Sequence, residues 1–547
     1  MKKTSIIFIL LVFLGTSCKK YLDVNTNPNQ PTSSTPELVL PQAMVYTAAV
    51  VNTYNTYGAQ LGGYMANAYG YGGFGDNFSY GFTSGDYATL WSGSYDVLND
   101  LQFVLNATDS IRDTYAYYRA AAIILQVYNF ELLVDTYNNI PFSDALKGLG
   151  SLSPKYDDAK AIYPALANML DTAIATINNA SADAQPLGVG RDPLFNQTAI
   201  TVLASNTLWK QFANTLKLRL IIKARSGGVA MPNNTFDAAG FLTTDAIVNP
   251  GYARATAPSG TQVNPEFNTW VVTYSGAAGN RAWVPSIWIF GFYDGTKITD
   301  NDRGNACFNN FPLTGKTQLG NINSGGNVSG VSNWYCTPYY GAPTAATSAG
   351  NNIGIMKGPD MGQPLITAAE SYLLQAEAVV RGIPGVSGSA QTLFNTGVTQ
   401  SFAYLFKLPN GNIGIIGGDP LSATASFAGY QAANPGNYLV NFAAATSTEQ
   451  QIEAIITQKY IALNMINSNE GWNEYRRTGY PTVVSNGGAY GTFASTQSAA
   501  TAPDKLPTRI QYPQAEFSYN PDNVPGGGTS KSPAAVSVFT DKIFWAK

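Results

Sequence analysis

Apolar residues return every third or fourth position in several long stretches of the chain, and between these the pattern dissolves into Gly, Asn, Thr and Ser. Residues 90–106 set Trp91, Tyr95, Leu98, Leu101 and Leu105 on one helical face. Residues 112–135 follow with Ala121, Ala122, Leu125, Tyr128 and Leu132, and stop near Asn138-Asn139-Ile140-Pro141. Residues 157–179 turn Ile162, Leu166, Leu170, Ala173, Ile174 and Ile177 inward; Pro164 either starts that helix or kinks it. Residues 203–225 carry the stripe Trp209, Phe212, Leu216 and Leu220. A helix over 366–381 opens on a capping box, Thr367 with Glu370, and stops at Gly382 and Pro384. Residues 392–406 supply its partner. Residues 450–466 place Ile452, Ile455, Ile456, Tyr460 and Leu463 on one face. Residues 470–477 then place Trp472 and Tyr475 three apart before the stop Gly479-Tyr480-Pro481.

These stretches pair as 90–135, 157–225, 366–406 and 450–477. The pattern predicts a mostly α chain of four tetratricopeptide-like helix pairs, with an irregular repeat length. Loop-rich insertions rich in Gly, Asn and Pro fill 226–363 and 408–445, with a few short strands. Residues 51–89 begin with a helix. They continue as a loop carrying rings, because GYGGFGDNFSYGF holds too much glycine for a stable helix. One domain over 36–547 is expected, behind a polar Pro/Asn-rich tether at 18–35.

Composition narrows the chemistry. Charged residues make up 12% of the chain, about half the usual share, and the net charge is −3, so neither a nucleic-acid footprint nor a polybasic membrane patch is present. With 33 tyrosines and 53 glycines, the surface is neutral, aromatic and hydrogen-bonding. It suits neutral polyhydroxylated ligands, or belongs to an exported protein that tolerates few charges. The chain has no histidine, which removes imidazole bases, Ser-His-Asp and Cys-His systems and the commonest zinc ligand.

Lys2 and Lys3, the apolar run from Ile6 to Leu14 and the small residues Gly15, Thr16 and Ser17 form a signal peptide over 1–17. Cys18 follows at once. This is the arrangement of a bacterial lipoprotein, whose first mature residue carries acyl chains such as palmitate, although Leu14 stands one place early. A plain signal peptide with a free Cys18 is the alternative. Cys307 and Cys336 are then left either to form a disulfide or to stay as two buried thiols.

The segment QKYIALNMINSNEGWNEYRRTGYP resembles the C-terminal signature of the SusD/RagB-like outer-membrane nutrient-binding lipoproteins of Bacteroidetes. CKKYLDVNTNPNQPT, TYNNIPFSDAL, LWKQFANTLKLRL, PLITAAESYLLQAEAVVRG, FNTGVTQSF, LPTRIQYPQAEFSYNPDNV and DKIFWAK resemble other segments of that family, in the family's order and over essentially the whole mature chain. The resemblance implies four tetratricopeptide-like units in a right-handed stack, without catalysis and without a cofactor. It also implies a lipid-anchored outer-membrane protein facing the exterior, which binds a nutrient such as a glycan and caps a TonB-dependent, SusC-like transporter. A peptide binder of the same architecture is the alternative, and a carboxylate glycosidase a third.

The signature residues Glu370, Glu377, Gln458, Lys459, Trp472, Glu474, Arg476, Arg477, Arg509 and Tyr512 are expected to be structural ties. Ligand contact is expected from flat rings in the irregular regions: Tyr71, Phe74, Tyr80, Trp270, Trp283, Trp288, Trp334 and Tyr339, with Tyr69 and Phe78 beside them. Asp294, Asp300 and Asp302 lack the spaced-oxygen loop that calcium needs. TDNDRG instead resembles the family's Asp-x-Arg turn.

Overall fold

The computed structural model describes residues 34–195, 201–253, 262–312, 315–322, 334–335, 353–416, 418–485, 487–527 and 536–547. The leader, Cys18, Cys336 and Tyr339 lie outside them. Ten helices carry the fold: α1 (Pro36–Leu61), α2 (Ala88–Ala107), α3 (Ala116–Tyr137), α4 (Ala159–Asn178), α5 (Val202–Ser226), α6 (Ala368–Val380), α7 (Ala390–Phe406), α8 (Ala423–Ala433), α9 (Thr448–Ala462) and α10 (Ser468–Thr478). The expected pairs correspond to α2–α3, α4–α5, α6–α7 and α9–α10. Pro164 neither starts nor ends α4, which begins where Asp158 accepts the Lys160 N–H. The capping box at α6 is only half made. Thr367 accepts the Glu370 N–H at 3.2 Å, but the Glu370 carboxylate turns away to Arg219.

Two helices exceed the periodicity reading. α1 buries Leu40, Met44, Thr47, Val51, Tyr54 and Asn55 on several faces, so it shows no clean apolar stripe. α8 lies inside the 408–445 insertion and buries only Phe427 and Tyr430. The strands are short and form two-stranded antiparallel ladders: β1 (Met65–Asn67) with β5 (Trp283–Pro285), β2 (Ile140–Pro141) with β3 (Tyr156–Asp157), β4 (Ala246–Val248) with β6 (Gln363–Ile366), and β7 (Ile415–Ile416) with β8 (Asp419–Pro420).

Helix contacts close a circuit: α1 packs on α2, then α3, α4, α5, α6, α9 and α10 follow in turn, and α10 returns to α1. Glycines set that last contact. A Cβ on Gly58 of α1 would lie 2.1 Å from the Asn469 backbone nitrogen, and one on Gly471 would lie 1.9 Å from the Tyr64 hydroxyl oxygen. No side chain fits at either position: at Gly58 the two helices approach backbone to backbone, and at Gly471 the Tyr64 ring just beyond α1 fills the space.

Inside the circuit runs a chain of buried ion pairs. Arg219 on α5 grips Glu131 on α3 through two bonds of 2.9 and 2.7 Å, and reaches Glu370 on α6 at 2.9 Å. Lys223 lies 3.1, 2.6 and 2.7 Å from Glu131, Asp135 and Glu470. Lys459 joins Glu470 at 3.2 Å to Glu474 at 2.9 Å, and Arg477 links Glu474 to Glu377, 2.8 Å away. Burial pushes the Asp135 and Glu370 carboxyls above their ordinary range. Burial would do the same to Glu377, but Arg477 and Arg381 pull it down to about 2. The signature residues are thus buried ties between five helices. Each charge in this chain of pairs is matched, because an unmatched one would cost several kcal/mol. Arg476 and Arg509 donate to the carbonyls of Asp135 and Tyr137, at 2.7 and 2.6 Å, and so close the C-terminal end of α3.

Cys307 is buried beside Tyr293 and burial pushes its thiol up to about 12. Asp300 is the N-cap of a short helix, Asn301–Cys307, and binds Arg303. Asp294 is held by Lys316 at 2.9 Å and by the Tyr490 hydroxyl at 3.0 Å. Asp294 and Asp300 are therefore engaged in protein contacts.

Candidate functional site

The β1–β5 ladder is the base of a surface that carries exposed rings. Asn67 pairs with Trp283, and one residue later the Ala68 N–H still donates to Ala282 at 2.7 Å. The chain then leaves the ladder as Tyr69-Gly70-Tyr71-Gly72-Gly73-Phe74-Gly75. Gly70 and Gly73 have φ of 81° and 85°, a left-handed region that side-chain-bearing residues rarely adopt. The turns they allow lift the loop clear of the body. Tyr69 and Tyr71 are 54% and 41% exposed.

Phe74 turns inward and fixes the loop. Its ring stacks on Phe78 at 5.0 Å and meets Trp283 edge-on at 5.1 Å. Half-buried Trp334 packs on Ala68 and Val284. A second connection enters the same ladder from the other side: a hairpin closed by the Val272–Ala278 bridge carries Tyr274, which is 46% exposed. Asn280 then accepts the N–H groups of Ala282 and Trp283 at 2.8 and 3.3 Å, aiming the chain into β5. Exposed tyrosines on glycine turns, backed by a packed aromatic layer, can offer flat apolar faces and hydroxyls together. That combination binds neutral polar ligands with C–H faces.

The expected rings divide by burial. Tyr71 is on the open face, and Phe74, Trp283 and Trp334 support it. Tyr80, Trp270 and Trp288 are core residues instead. Tyr80 is fully buried and its hydroxyl accepts the Ser495 N–H at 3.0 Å. Trp288 donates to the Tyr460 hydroxyl at 3.0 Å, and the Lys297 ammonium nitrogen lies 3.0 Å from its ring centroid. Burial pushes that lysine down to about 6. Trp270 is buried at the end of the short helix Pro265–Trp270. As placed, these three show no face to solvent. Tyr274 was not singled out by sequence; its signal was only a lone ring within Thr-Tyr-Ser-Gly.

Residues 28–513 match the SusD-like family model described as "Starch-binding associating with outer membrane". No curated protein matches the chain. Solved structures share the fold. A SusD homolog from Bacteroides fragilis is 21% identical with a TM-score of 0.62, over 94% of this chain and 100% of its own. A SusD homolog from Bacteroides uniformis is 23% identical with a TM-score of 0.62, over 93% and 99%. A chitin-binding SusD homolog from Flavobacterium johnsoniae is 18% identical with a TM-score of 0.61, over 92% and 98%. Among the described residues no helix is long and apolar enough to cross a membrane. With its helical circuit, its short ladders and a family match over nearly the whole chain, this protein belongs to the SusD-like family of starch-binding proteins that associate with the outer membrane.

Proposed function

We propose that the protein is a lipid-anchored receptor on the outer membrane that binds a glycan on its tyrosine loop and passes it to a TonB-dependent, SusC-like transporter. The observation that carries the reading is the pair Tyr69 and Tyr71, exposed on a glycine loop while Phe74 and Trp283 hold its base. A loop anchored at its base loses less freedom on binding than an unanchored one, so more of the stacking energy is realised as affinity. Binding, not catalysis, fits the charge arrangement: the carboxylates clustered inside the helical circuit are consumed by lysines and arginines, and no histidine stands in for a base.

Tyr69→Ala and Tyr71→Ala are each expected to weaken glycan binding about tenfold, the ~1.4 kcal/mol of one lost ring contact, with the melting temperature unchanged. Calorimetry against a panel of neutral oligosaccharides checks this. Retention of full affinity in the double variant would remove the loop from the site, and saturable uptake of peptides but no glycan would make the protein a peptide receptor.

Anchoring has its own test. Cys18→Ala is expected to move the protein from the outer-membrane fraction to the soluble fraction, because an acyl anchor is then the attachment that is lost. Cell fractionation reads the outcome, and a Cys18→Ala protein that stays with the membrane would refute lipidation.

A further inference from the structure

We propose that the cavity between α10 and the C-terminal segment is a second ligand site, which takes the carboxylate of a small ring-bearing acid. The cavity measures about 480 Å³. Its walls come from Trp472, Tyr475 and Arg476 on one side and from Leu506, Pro507 and Phe539 on the other. It is remote in sequence from the tyrosine loop, and the proposal does not depend on that loop's role.

Arg476 is what gives the cavity its chemistry. It is only 6% exposed. One amino group donates to the carbonyl of Thr508, itself a wall residue, at 3.1 Å, which fixes the guanidinium at the cavity surface. The other donates to the Asp135 carbonyl at 2.7 Å and to Asn473. The guanidinium carbon lies 5.4 and 5.1 Å from the ring centroids of Trp472 and Trp545, so the group is held between two indoles. Its Nε–H has no acceptor among the described residues.

Arg219, Arg303 and Arg477 each have a carboxylate within ion-pair distance, and among the described residues Arg476 has none. Burial correspondingly holds its pKa below the ordinary arginine value. A buried guanidinium without a carboxylate partner is costly, and a carboxylate entering the cavity would relieve that cost through its charge. The surrounding charge agrees. Lys542 and Lys547 add two cations at the exposed rim, against Asp504. Asp504 is already engaged by the Tyr475 hydroxyl at 3.1 Å. With Arg476, the side chains leave a balance of two positive charges. The apolar walls would take a ring beside the acid group, either a uronate sugar or an aromatic carboxylate.

The test is calorimetric titration of the full protein with glucuronate, benzoate and glucose at low salt. Saturable binding of a carboxylate at least tenfold tighter than glucose supports the site, and whichever of the two acids binds names the ligand class. Ala502→Trp, which fills the cavity from its wall, and Lys542→Glu at the rim should each weaken that binding tenfold or more. Tyr69→Ala/Tyr71→Ala should leave it unchanged. Arg476→Met removes the charge and keeps most of the stem, and is expected to lose affinity in the same way. If that variant does not fold, the two rim and wall variants decide. Binding of neither acid, equal binding of glucose and glucuronate, or indifference to Ala502→Trp would overturn the proposal.

Discussion

Lys223→Met should lower stability by about 3–5 kcal/mol, the range for removing one partner from a buried ion pair. Methionine keeps most of the stem volume, so little cavity is created and the effect isolates charge. The ammonium group lies within 3.1 Å of Glu131, Asp135 and Glu470. Those three carboxylates come from α3 and α10, and in the variant they would face each other with only Arg219 and Lys459 left to share. A control is Lys147→Met: that lysine pairs with Asp144 at the surface, and its loss should cost less than about 0.5 kcal/mol. Denaturant unfolding of both variants reads the contrast. A second signature follows from sign. Without the lysine the Asp135 carboxyl, which burial already holds above its ordinary value, rises further, and Glu470 loses a cation that holds it well below its own. Stability that depends on Asp135 staying protonated is then present at low pH and lost as pH rises, so the Lys223→Met deficit should be smaller at pH 5 than at pH 8. Adding Glu470→Gln should recover part of the loss. A Lys223→Met protein as stable as the parent at pH 8 would mean that the network does not hold the circuit together.

The same network explains what could be read from the chain before its structure. The helices with one buried face were legible because burial on one side leaves a stripe: α4 shows Ile162, Leu166, Leu170, Ala173 and Ile177 in register. The central helices were legible by another route. α6 and α10 bury Glu370, Glu377, Glu470, Glu474 and Arg477, residues that a hydropathy pattern assigns to solvent. Only the resemblance marked Glu370, Glu377, Glu474 and Arg477 as interior ties, and Glu470 was not singled out. Of α1 only the second half was expected, as the helix that begins 51–89; its first half escaped because α1 is enclosed by α2, α3 and α10 and is mixed in polarity all round.

The candidate site divides along a similar line. A ring in a glycine-rich stretch looks the same in sequence whether it faces out or plugs the core. Tyr71 and Tyr80 stand nine positions apart in one such stretch, yet one is open and the other fully buried. The difference arises from Ser495, more than 400 residues away, whose N–H takes the Tyr80 hydroxyl. Trp288 was likewise claimed by partners distant in sequence, Tyr460 among them. Long-range pairing of this kind has no local signature, so composition could locate the aromatic region but not sort its rings.

The insertion that carries the site is tied to the helical circuit by a group whose titration should be visible. Glu266, on the short helix after Asn264, is fully enclosed, and Asn55 on α1 donates to its carboxyl. The same Asn55 accepts the Ser468 N–H at 2.7 Å and donates to the Met465 carbonyl at 3.0 Å, so one side chain joins the insertion to the α9–α10 turn. No lysine or arginine pairs with Glu266 among the described residues, and burial pushes its carboxyl up to about 8. Because that value lies above the unfolded value of 4.5, the stability it contributes is complete below pH 4.5 and is lost as pH rises through 8. The span corresponds to at most about 5 kcal/mol. Glu266→Gln keeps the acceptor for Asn55 and removes the titration. The melting temperature of the variant minus that of the parent should therefore be near zero at pH 4.5, climb through pH 5–8 and level off above. The difference, not the parent curve, is the quantity to measure. Lys357, which burial pushes down to about 7 where it donates to the carbonyl of Lys407 at 2.7 Å, works in the opposite direction, adding stability as pH rises from 7. That contribution is common to both proteins and cancels. A difference that stays flat across pH 4.5–9 would show that Glu266 is ionised in the folded protein, and that the junction between the insertion and the stack is open to water.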